Sequence, residues 1–498
     1  ATAEVELQAP ALKLQGVPAR KIKGTAQYAA GVLKYRLAGE AFGGSFEVDG
    51  QYPPAGKKGA APEKKEPPKK DNGLDLGRIK LRGMQLSRLW DVVGLKNALG
   101  PLDADVSGDF PLTTDDAGRL VGTGRLRAER LRWAGRDIAA NGQTVLRLTS
   151  SEMIFDEATF FVGEGVVRAK ATINRTDINR STGEVTLSNV PARRLFFLVP
   201  EMGGRFDLNV DGRLTTTIGR DWRGSGVLTA VRGKAYGVPV SDIRLPIDWT
   251  VVPDSGRTQV RIRDLTATAA GGPVTGSAEV NLFGDAPPKF SGDVQFRNVN
   301  LSQAFREAGQ IVGNLPLSGK LNFGSDHFRG PNDLTARLDA RLGESQALSL
   351  PLFRALVPYI TPGLGSNQTI REGEAKATLN GGVWRIERLT LTGNSLDLFA
   401  DGTVTTAGGL QLAVTAASRS TPGQVIIQRI VPLSVLTATP SQTIAQSVLA
   451  DALGIIGTYV VHLEVTGTIN SPVIRIETLR TLTEDAIRFF LLRWALRR

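Results

Sequence analysis

The chain of 498 residues contains no cysteine. This absence excludes disulfides, thiol catalysis and cysteine-ligated metal sites. Histidine is almost absent too, because only His327 and His462 occur, far apart and without acidic clusters beside them. The sequence also has no nucleophile elbow, phosphate-binding loop or dinucleotide fingerprint. We therefore expect no catalytic residues, no metal site, no cofactor and no enzymatic activity.

Aromatic residues are scarce, at 6% of the chain, whereas glycine is frequent, with 56 residues. That balance favours many short strands joined by tight turns over a bundle of helices. The opening residues, ATAEVELQAP, contain neither an initiator methionine nor the charged and apolar segments of a signal peptide. We expect any targeting or anchoring segment to lie outside this chain.

Lysine and arginine exceed aspartate and glutamate, and the formal net charge is +11. This charge permits binding to nucleic acid or to an anionic membrane surface. Because the basic residues alternate with acidic ones along the chain, a solvated basic surface is the simpler interpretation. Nucleic acid is the least favoured partner, since no aromatic stacking platforms accompany the basic residues. Two carboxylate pairs, Asp103 with Asp105 and Asp115 with Asp116, are better explained by solvation than by acid–base chemistry.

The most informative feature that is present is a β-type unit of about 105 residues that occurs three times. In each copy the alternation of apolar residues slips by one position at the same place. Such a slip is what a β-bulge or tight turn produces in a strand pattern. The apolar residues of the three copies are Met153, Phe155, Ala158, Phe160 and Val162; Val260, Ile262, Leu265, Ala267 and Ala269; and Trp384, Ile386, Leu389 and Leu391.

Two further landmarks recur with matching spacing. Each copy opens with a strand that leads into a short helical segment, at residues 86–94, 192–201 and 301–310. A strand with a central glycine follows, at residues 106–110, 210–214 and 317–321. The chain is therefore predicted to be a tandem array.

The repeat divides the chain into seven segments. They are the end of a preceding β-unit (1–50), a flexible loop rich in proline and lysine (51–73), three β-groove units (74–180, 181–286 and 287–420), a β/helical region (421–482) and an amphipathic helix (483–498). The third unit contains a helical insertion at 347–365, in which Leu352, Phe353, Leu356, Val357 and Ile360 share one face. We expect this helix to pack on the sheet as a plug or cap.

A sheet with one apolar face must hide that face from water, at about 25 cal/mol per Å². It can pack on a second sheet, close on itself, or curl into a trough that lipid covers. We expect the third solution: a mainly β protein, an elongated and repetitive antiparallel sheet curled into an open groove, with a few short helices. The predicted groove residues are Met153, Phe155, Phe160, Val162, Val260, Ile262, Leu265, Trp384, Ile386, Leu389, Leu391, Leu396 and Leu398.

The third unit also carries a family resemblance. Residues 371–402, which include Trp384-Arg-Ile-Glu-Arg-Leu-Thr-Leu-Thr-Gly393, and residues 465–472 resemble the C-terminal region of AsmA-like proteins, the relatives of TamB in Gram-negative bacteria. The resemblance implies a periplasmic β-groove, an N-terminal inner-membrane anchor that is absent from this chain, and a role in phospholipid transport or outer-membrane homeostasis.

The last segment, residues 483–498, predicts an amphipathic helix that begins at Thr483 and ends with basic residues. Sixteen residues are too few to span a bilayer of about 30 Å. The helix could lie at a membrane interface, cap the end of the groove, or simply dock on the sheet. Its predicted functional residues are Ile487, Arg488, Phe490, Leu491, Arg493, Trp494 and Arg497.

Two functions from different classes follow. The favoured one is transport of phospholipids between the inner and outer membranes through the groove. The alternative is an elongated periplasmic scaffold that assists assembly of outer-membrane proteins by adding their strands to its sheet edges. A secreted adhesin is a third possibility, which would require an export signal.

Overall fold

The structure is a computed structural model. It describes residues 2–14, 17–52, 75–88, 102–115, 119–133, 136–195, 203–252, 255–283, 286–303, 313–360, 369–419, 458–477 and 483–495. The predicted loop at 51–73 lies outside these ranges apart from residues 51 and 52, and so does the predicted β/helical region at 421–482 apart from residues 458–477.

The fold is mainly β, as predicted, and the 25 strands within the described ranges form an antiparallel sheet. Strands consecutive in the chain are hydrogen-bonded neighbours through β1–β12 and again through β17–β25. The strands are β1 (Thr2–Leu14), β2 (Val17–Ala29), β3 (Val32–Ala41), β4 (Gly44–Tyr52), β5 (Asp75–Gln85), β6 (Leu102–Thr114), β7 (Leu120–Trp133), β8 (Arg136–Leu148), β9 (Glu152–Val162), β10 (Gly165–Asn174), β11 (Ser181–Pro191), β12 (Phe206–Ile218), β13 (Trp222–Ala235), β14 (Val238–Val252), β15 (Arg257–Ala269), β16 (Gly272–Phe283), β17 (Ala286–Asn300), β18 (Pro316–Ser325), β19 (Thr335–Leu342), β20 (Ile370–Asn380), β21 (Val383–Gly393), β22 (Leu396–Thr405), β23 (Gly409–Arg419), β24 (Thr458–Thr468) and β25 (Ser471–Ile476).

Helices are few and short among the described residues. They include α1 (Ala192–Leu195), α2 (Pro351–Ile360), α3 (Glu484–Ala495) and the 3₁₀ turns Ile178–Arg180, Pro331–Asp333 and Ala347–Ser349. Helix α2 lies within the predicted insertion at 347–365, of which residues 361–365 are outside the described ranges.

The chain forms two compact units. The N-terminal unit comprises Ala1–Gly233, Arg244–Ile262 and Asn281–Asp285, and the C-terminal unit comprises Lys234–Ile243, Arg263–Val280 and Ala286–Arg498. The three sequence repeats are thus not three separate compact units.

Several hairpins turn on a two-residue loop that ends in glycine. Ala30-Gly31 and Phe42-Gly43 both have positive φ at the two loop positions, and Tyr236-Gly237 and Ala270-Gly271 repeat this geometry. Positive φ at both positions defines the type I′ turn, whose twist matches that of paired strands. These turns account for part of the high glycine content.

The predicted slip in the apolar pattern is a β-bulge. In the first copy, the register of β9 shifts against both β8 and β10, and the residue at the shift, Glu157, has a φ of 43°. In the third copy, the register between β21 and β22 shifts between Ile386 and Leu389. In the second copy, Asp264 has a φ of 51° inside β15. A bulge inserts one extra residue into the strand. The apolar side chains before and after the slip therefore point to the same face of the sheet.

The strands with a central glycine have a structural role that the sequence did not reveal. Each of them supplies a side-chain oxygen that accepts a hydrogen bond from a backbone N–H in a second set of bulges. These bulges lie on the preceding strand. The N–H of Gly83 donates to Ser107 Oγ, that of Asn189 to Asp211 Oδ1 and that of Asn298 to Ser318 Oγ. All three bulge residues have positive φ. The chain becomes helical within four residues of each one, at residues 86–88, 192–195 and 302–303.

Removing one of these caps should weaken the repeat measurably. Asp211→Ala leaves the N–H of Asn189 without its side-chain acceptor, and we expect a loss of about 1 kcal/mol in the free energy of unfolding. Asp211→Asn keeps an acceptor oxygen and should lose less than half of that amount. Urea denaturation followed by circular dichroism measures both variants. Equal losses in the two variants would show that charge, rather than the hydrogen bond, matters at this position.

Candidate functional site

The N-terminal unit has one apolar sheet face that continues from strand to strand. On β10, Val167, Ala169 and Ala171 alternate in unbroken register with β11, so they share a face. Their partners on β9 are Phe160, Ala158 and Phe155, respectively, which places all the partners on that face too. Further members, identified in the same way, are Ile79, Leu81, Leu126, Leu146, Leu148, Met153, Ile173, Val185, Leu187 and Leu214.

Glycines on this face accommodate large side chains from the neighbouring strand. A Cβ at Gly142 would collide with the ring of Phe160, and a Cβ at Gly124 would collide with the ring of Phe110. Each aromatic ring therefore lies over a glycine of the next strand. The aromatic side chains lie flat against the sheet as a result.

The apolar face of the N-terminal unit is concave. Leu86, just after β5, packs in one cluster with Ile173 of β10 and Trp222 of β13, although four strands separate β5 from β10. On a flat sheet, strands so far apart would lie roughly 24 Å from one another, at about 4.8 Å per strand. The sheet must therefore curl toward this face.

Most of the predicted groove residues of the first copy lie on this concave face and are partly accessible to solvent. Met153, Phe155 and Phe160 are half-buried on this face, whereas Val162 is 9% exposed and belongs to a packed cluster. In the second copy, Val260, Ile262 and Leu265 are likewise half-buried positions of β15. Their neighbours Arg261, Arg263 and Asp264 are exposed, as the alternation predicts.

The opposite face of the N-terminal unit carries charged residues in cross-strand ion pairs. Arg213 Nε lies 2.8 Å from Glu184 Oε1, and the hydrogen bond from Arg213 holds the pKa of the Glu184 carboxyl below its usual value. Exposed pairs of this kind add little stability. They identify this face as the one in contact with water. Other pairs on it are Arg78–Asp109, Arg82–Glu47 and Arg147–Asp156.

A cavity of about 480 Å³ lies where β10–β13 run side by side. Its lining is mainly threonine, glycine and charged side chains, without an aromatic residue. This composition does not suit an apolar ligand. The lining residues are Lys170, Ala171, Thr172, Thr182, Gly183, Glu184, Thr215, Thr216, Thr217, Arg223, Gly224 and Ser225.

The C-terminal unit also has an apolar face, but helix α2 covers much of it. The register places Ile386, Leu389 and Leu391 of β21 opposite Gly402, Ala400 and Leu398 of β22, on one face. Helix α2 lies over β23, β24 and β25. It packs into the same cluster through Phe353, Leu356, Val357 and Ile360. The sheet side of the cluster includes Leu391, Leu396, Leu398, Ala400, Leu412, Val414, Ala416, Val461, Leu463 and Val465.

This cover corrects part of the predicted groove. Leu391, Leu396 and Leu398 were predicted to line an accessible groove, but their exposed fractions are 2%, 3% and 0%. They lie on the predicted face, yet protein rather than solvent or ligand covers them. Trp384, Ile386 and Leu389 are half-buried, and the last two pack against the covered cluster. Full burial of the four helix side chains contributes about 6 to 12 kcal/mol, at roughly 1.5 to 3 kcal/mol each.

Helix α3 packs on the other face of the C-terminal unit. Ala486 and Phe490 form a cluster with Phe399 and Ala417, which are sequence neighbours of Leu398 and Ala416 and therefore point away from α2. The Arg388 guanidinium reaches Asp485 at 3.2 Å. The helix thus docks on the sheet, and it does not cap the apolar face covered by α2. The sheet lies between two helical layers here.

The predicted functional residues of α3 have different environments. Thr483 Oγ1 accepts a hydrogen bond from the N–H of Ala486 and caps the helix, as expected. Ile487 is half-buried, Arg488 is exposed and pairs with Glu484, and Phe490 is buried against the sheet. Leu491, Arg493 and Trp494 are helix positions whose side chains the structure does not describe, and Arg497 lies outside the described residues.

Three of the four carboxylates considered for acid–base chemistry are engaged in ion pairs, and the fourth, Asp116, lies outside the described residues. Asp105 binds Arg130 at 2.7 Å and Asp103 binds Arg132 at 3.0 Å. Asp115 binds Arg119 at 3.0 Å. Among the residues that the structure describes, no group of three or more metal-ligating side chains occurs. Arginine partners explain these carboxylates without a catalytic role.

Comparison with known proteins adds no relative. No family model matches the chain, and neither the curated proteins nor the solved structures contain a significant match. Within the described part of the chain, no helix has the length and apolarity needed to cross a membrane.

Proposed function

We propose that this protein binds the acyl chains of phospholipids along its apolar sheet face and carries them between the inner and outer membranes. It acts without catalysis and supports outer-membrane homeostasis. The periplasmic location and an inner-membrane anchor follow from the resemblance of residues 371–402 and 465–472 to AsmA-like proteins.

One observation supports the proposal most directly: the concave, partly uncovered apolar face of the N-terminal unit. Large apolar side chains that stay half-buried on a concave surface favour an apolar ligand, because water on that surface costs free energy. Acyl chains match such a surface in shape and chemistry. The residues proposed to contact them are Met153, Phe155, Phe160, Val260 and Ile262 in the N-terminal unit, and Leu265, Trp384, Ile386 and Leu389 in the C-terminal unit.

Two adjacent phenylalanines provide a matched test. Phe160 lies on the apolar face, opposite Val167, whereas Phe161 is 59% exposed on the other face, opposite Val166. A photo-crosslinking phenylalanine analogue at Phe160 should capture phospholipid, and the same analogue at Phe161 should capture at least about tenfold less, since one face excludes water and the other does not. Mass spectrometry of the irradiated protein, purified with its native lipids, measures both.

Similar capture at the two positions would reject this assignment of the faces. No lipid at either position, in protein that retains its β-sheet circular dichroism, would reject lipid binding itself.

The scaffold alternative has its own supporting observation. Strand β1 is 13 residues long and pairs with β2. Val5 and Leu7 of β1 are 60% and 44% exposed. Exposed apolar side chains on a long strand favour contact with a partner strand that is added to the sheet. Native mass spectrometry separates the two functions, because a scaffold would be free of lipid and a carrier would be occupied.

A further inference from the structure

The segment that covers the apolar face of the C-terminal unit is anchored by hydrogen bonds at its root. Ser345 exchanges two backbone hydrogen bonds with Ile370, each of 2.8 Å. Gln346 N–H donates to the carbonyl of Asn314, and Gly313 N–H donates to Ser349 Oγ. These contacts fix residues 345–349, immediately before α2.

The body of α2 contacts the sheet through apolar side chains. Phe353, Leu356, Val357 and Ile360 follow the spacing of one helical face, and all four are buried in the shared cluster. A helix of ten residues has little stability of its own, and Pro358 removes a main-chain hydrogen bond from the last turn. The fold of this helix therefore depends on the apolar surface beneath it.

Helix α2 occupies the place that an acyl chain would take on this face. Lifting it without replacement would expose the buried sheet residues to water, which strongly opposes opening. An acyl chain that slides onto the same residues would keep them dry, so the exchange of helix for lipid removes most of that opposition. The fixed root and the apolar body together give the geometry of a hinged lid.

From these contacts we infer that residues 345–360 form a lid, hinged at 345–349, which covers the apolar face of the C-terminal unit when it is empty and gives way to an entering acyl chain. This inference rests on the proposed function and adds a control of acyl-chain access to the apolar face of the C-terminal unit. In the closed state, Ala416 of β23 and Val461 of β24 form part of the floor beneath the lid, and Leu398 belongs to the same apolar cluster.

A disulfide staple tests the lid, and the absence of native cysteine makes it unambiguous. Cysteines replace Leu356 on the helix and either Val414 or Leu463 on the sheet, and the pair that oxidises completely is used. The full chain is mixed with phosphatidylethanolamine vesicles that contain a phospholipid with a diazirine on its acyl chain. Peptide mass spectrometry after irradiation then reports labelling of the floor and of Phe155 and Phe160.

The lid predicts that oxidation lowers floor labelling at least about tenfold, that reduction restores it, and that labelling at Phe155 and Phe160 stays constant. Equal floor labelling in the oxidised and reduced forms would overturn the lid. An unlabelled floor in both forms, with Phe155 and Phe160 labelled, would make α2 a permanent plug and leave the proposed function intact. An absence of labelling everywhere would reject the proposed function, and the lid with it.

A pair of single variants gives an independent answer if the staple disturbs folding. Leu356→Ala weakens the contact of the lid with the floor, whereas Phe490→Ala weakens the contact of α3 on the other face. Floor labelling should rise several-fold, up to about tenfold, in Leu356→Ala and stay at the wild-type level in Phe490→Ala. A similar rise in both variants would indicate general loosening and would overturn the lid.

Discussion

Replacement of Leu398 by aspartate should unfold the C-terminal unit at room temperature. Leu398 is 0% exposed, lies between Leu391 and Ala416, and belongs to the apolar cluster that helix α2 joins. Loss of the leucine side chain costs about 2 to 5 kcal/mol, and an unpaired charge in the same place adds several more. Their sum approaches the total stability of a typical domain, about 5 to 15 kcal/mol. Hydrogen exchange of strands β20–β24 measures the loss directly.

The control for this substitution is a leucine of the same chain that faces water. Leu492 of α3 is 57% exposed, so Leu492→Asp should change the stability by less than about 0.5 kcal/mol. Leu398→Met preserves apolar volume and should cost less than about 1.5 kcal/mol. If Leu398→Asp kept the exchange protection of β22 and β23, then Leu398 would be accessible, and the closed position of α2 would be wrong.

The β-bulges are the part of the fold that the sequence predicted best. Two polar residues between apolar pairs, such as Asp156 and Glu157, can keep the pairs on one face only if the strand gains a residue there. The register shifts and positive φ angles occur at those positions. The prediction succeeded because side-chain alternation depends only on the strand itself.

What covers an apolar face could not be read from the same alternation. Phe160 and Leu398 both lie in alternating apolar patterns, yet the first is half-buried and the second is fully buried in the cluster that α2 joins. The helical spacing of residues 352–360 predicted an element that packs on the sheet. The position of that element depends on contacts between distant parts of the chain, such as Ser345 with Ile370.

The side on which the C-terminal helix docks was equally hidden. Its apolar residues suit either face of the sheet or a membrane surface, because hydrophobic burial has no directional preference. The distinguishing features are the aromatic contact of Phe489 with Phe399, at 6.1 Å between ring centroids, and the ion pair of Asp485 with Arg388. Phe399 and Arg388 lie almost a hundred residues before the helix, beyond the reach of a local pattern.

A single charge on the apolar face of the N-terminal unit should abolish lipid binding. Val185 lies on that face between Ala169 and Leu214, and its neighbour Thr186 lies on the other face between Arg168 and Arg213. In Val185→Glu, a bound acyl chain would cover an unpaired carboxylate. A penalty of about 3 kcal/mol or more follows, and binding of phospholipid should weaken at least about 100-fold.

The same substitution one residue further along the strand is the matched control. In Thr186→Glu the carboxylate faces water and two arginines, so lipid binding should stay within about twofold of wild type and stability should not fall. Lipid content per chain after extraction from labelled vesicles measures both variants. Because the two substitutions add the same charge to the same strand, equal loss of lipid in both would mean that overall charge controls binding. Equal retention would mean that acyl chains do not lie on this face at all.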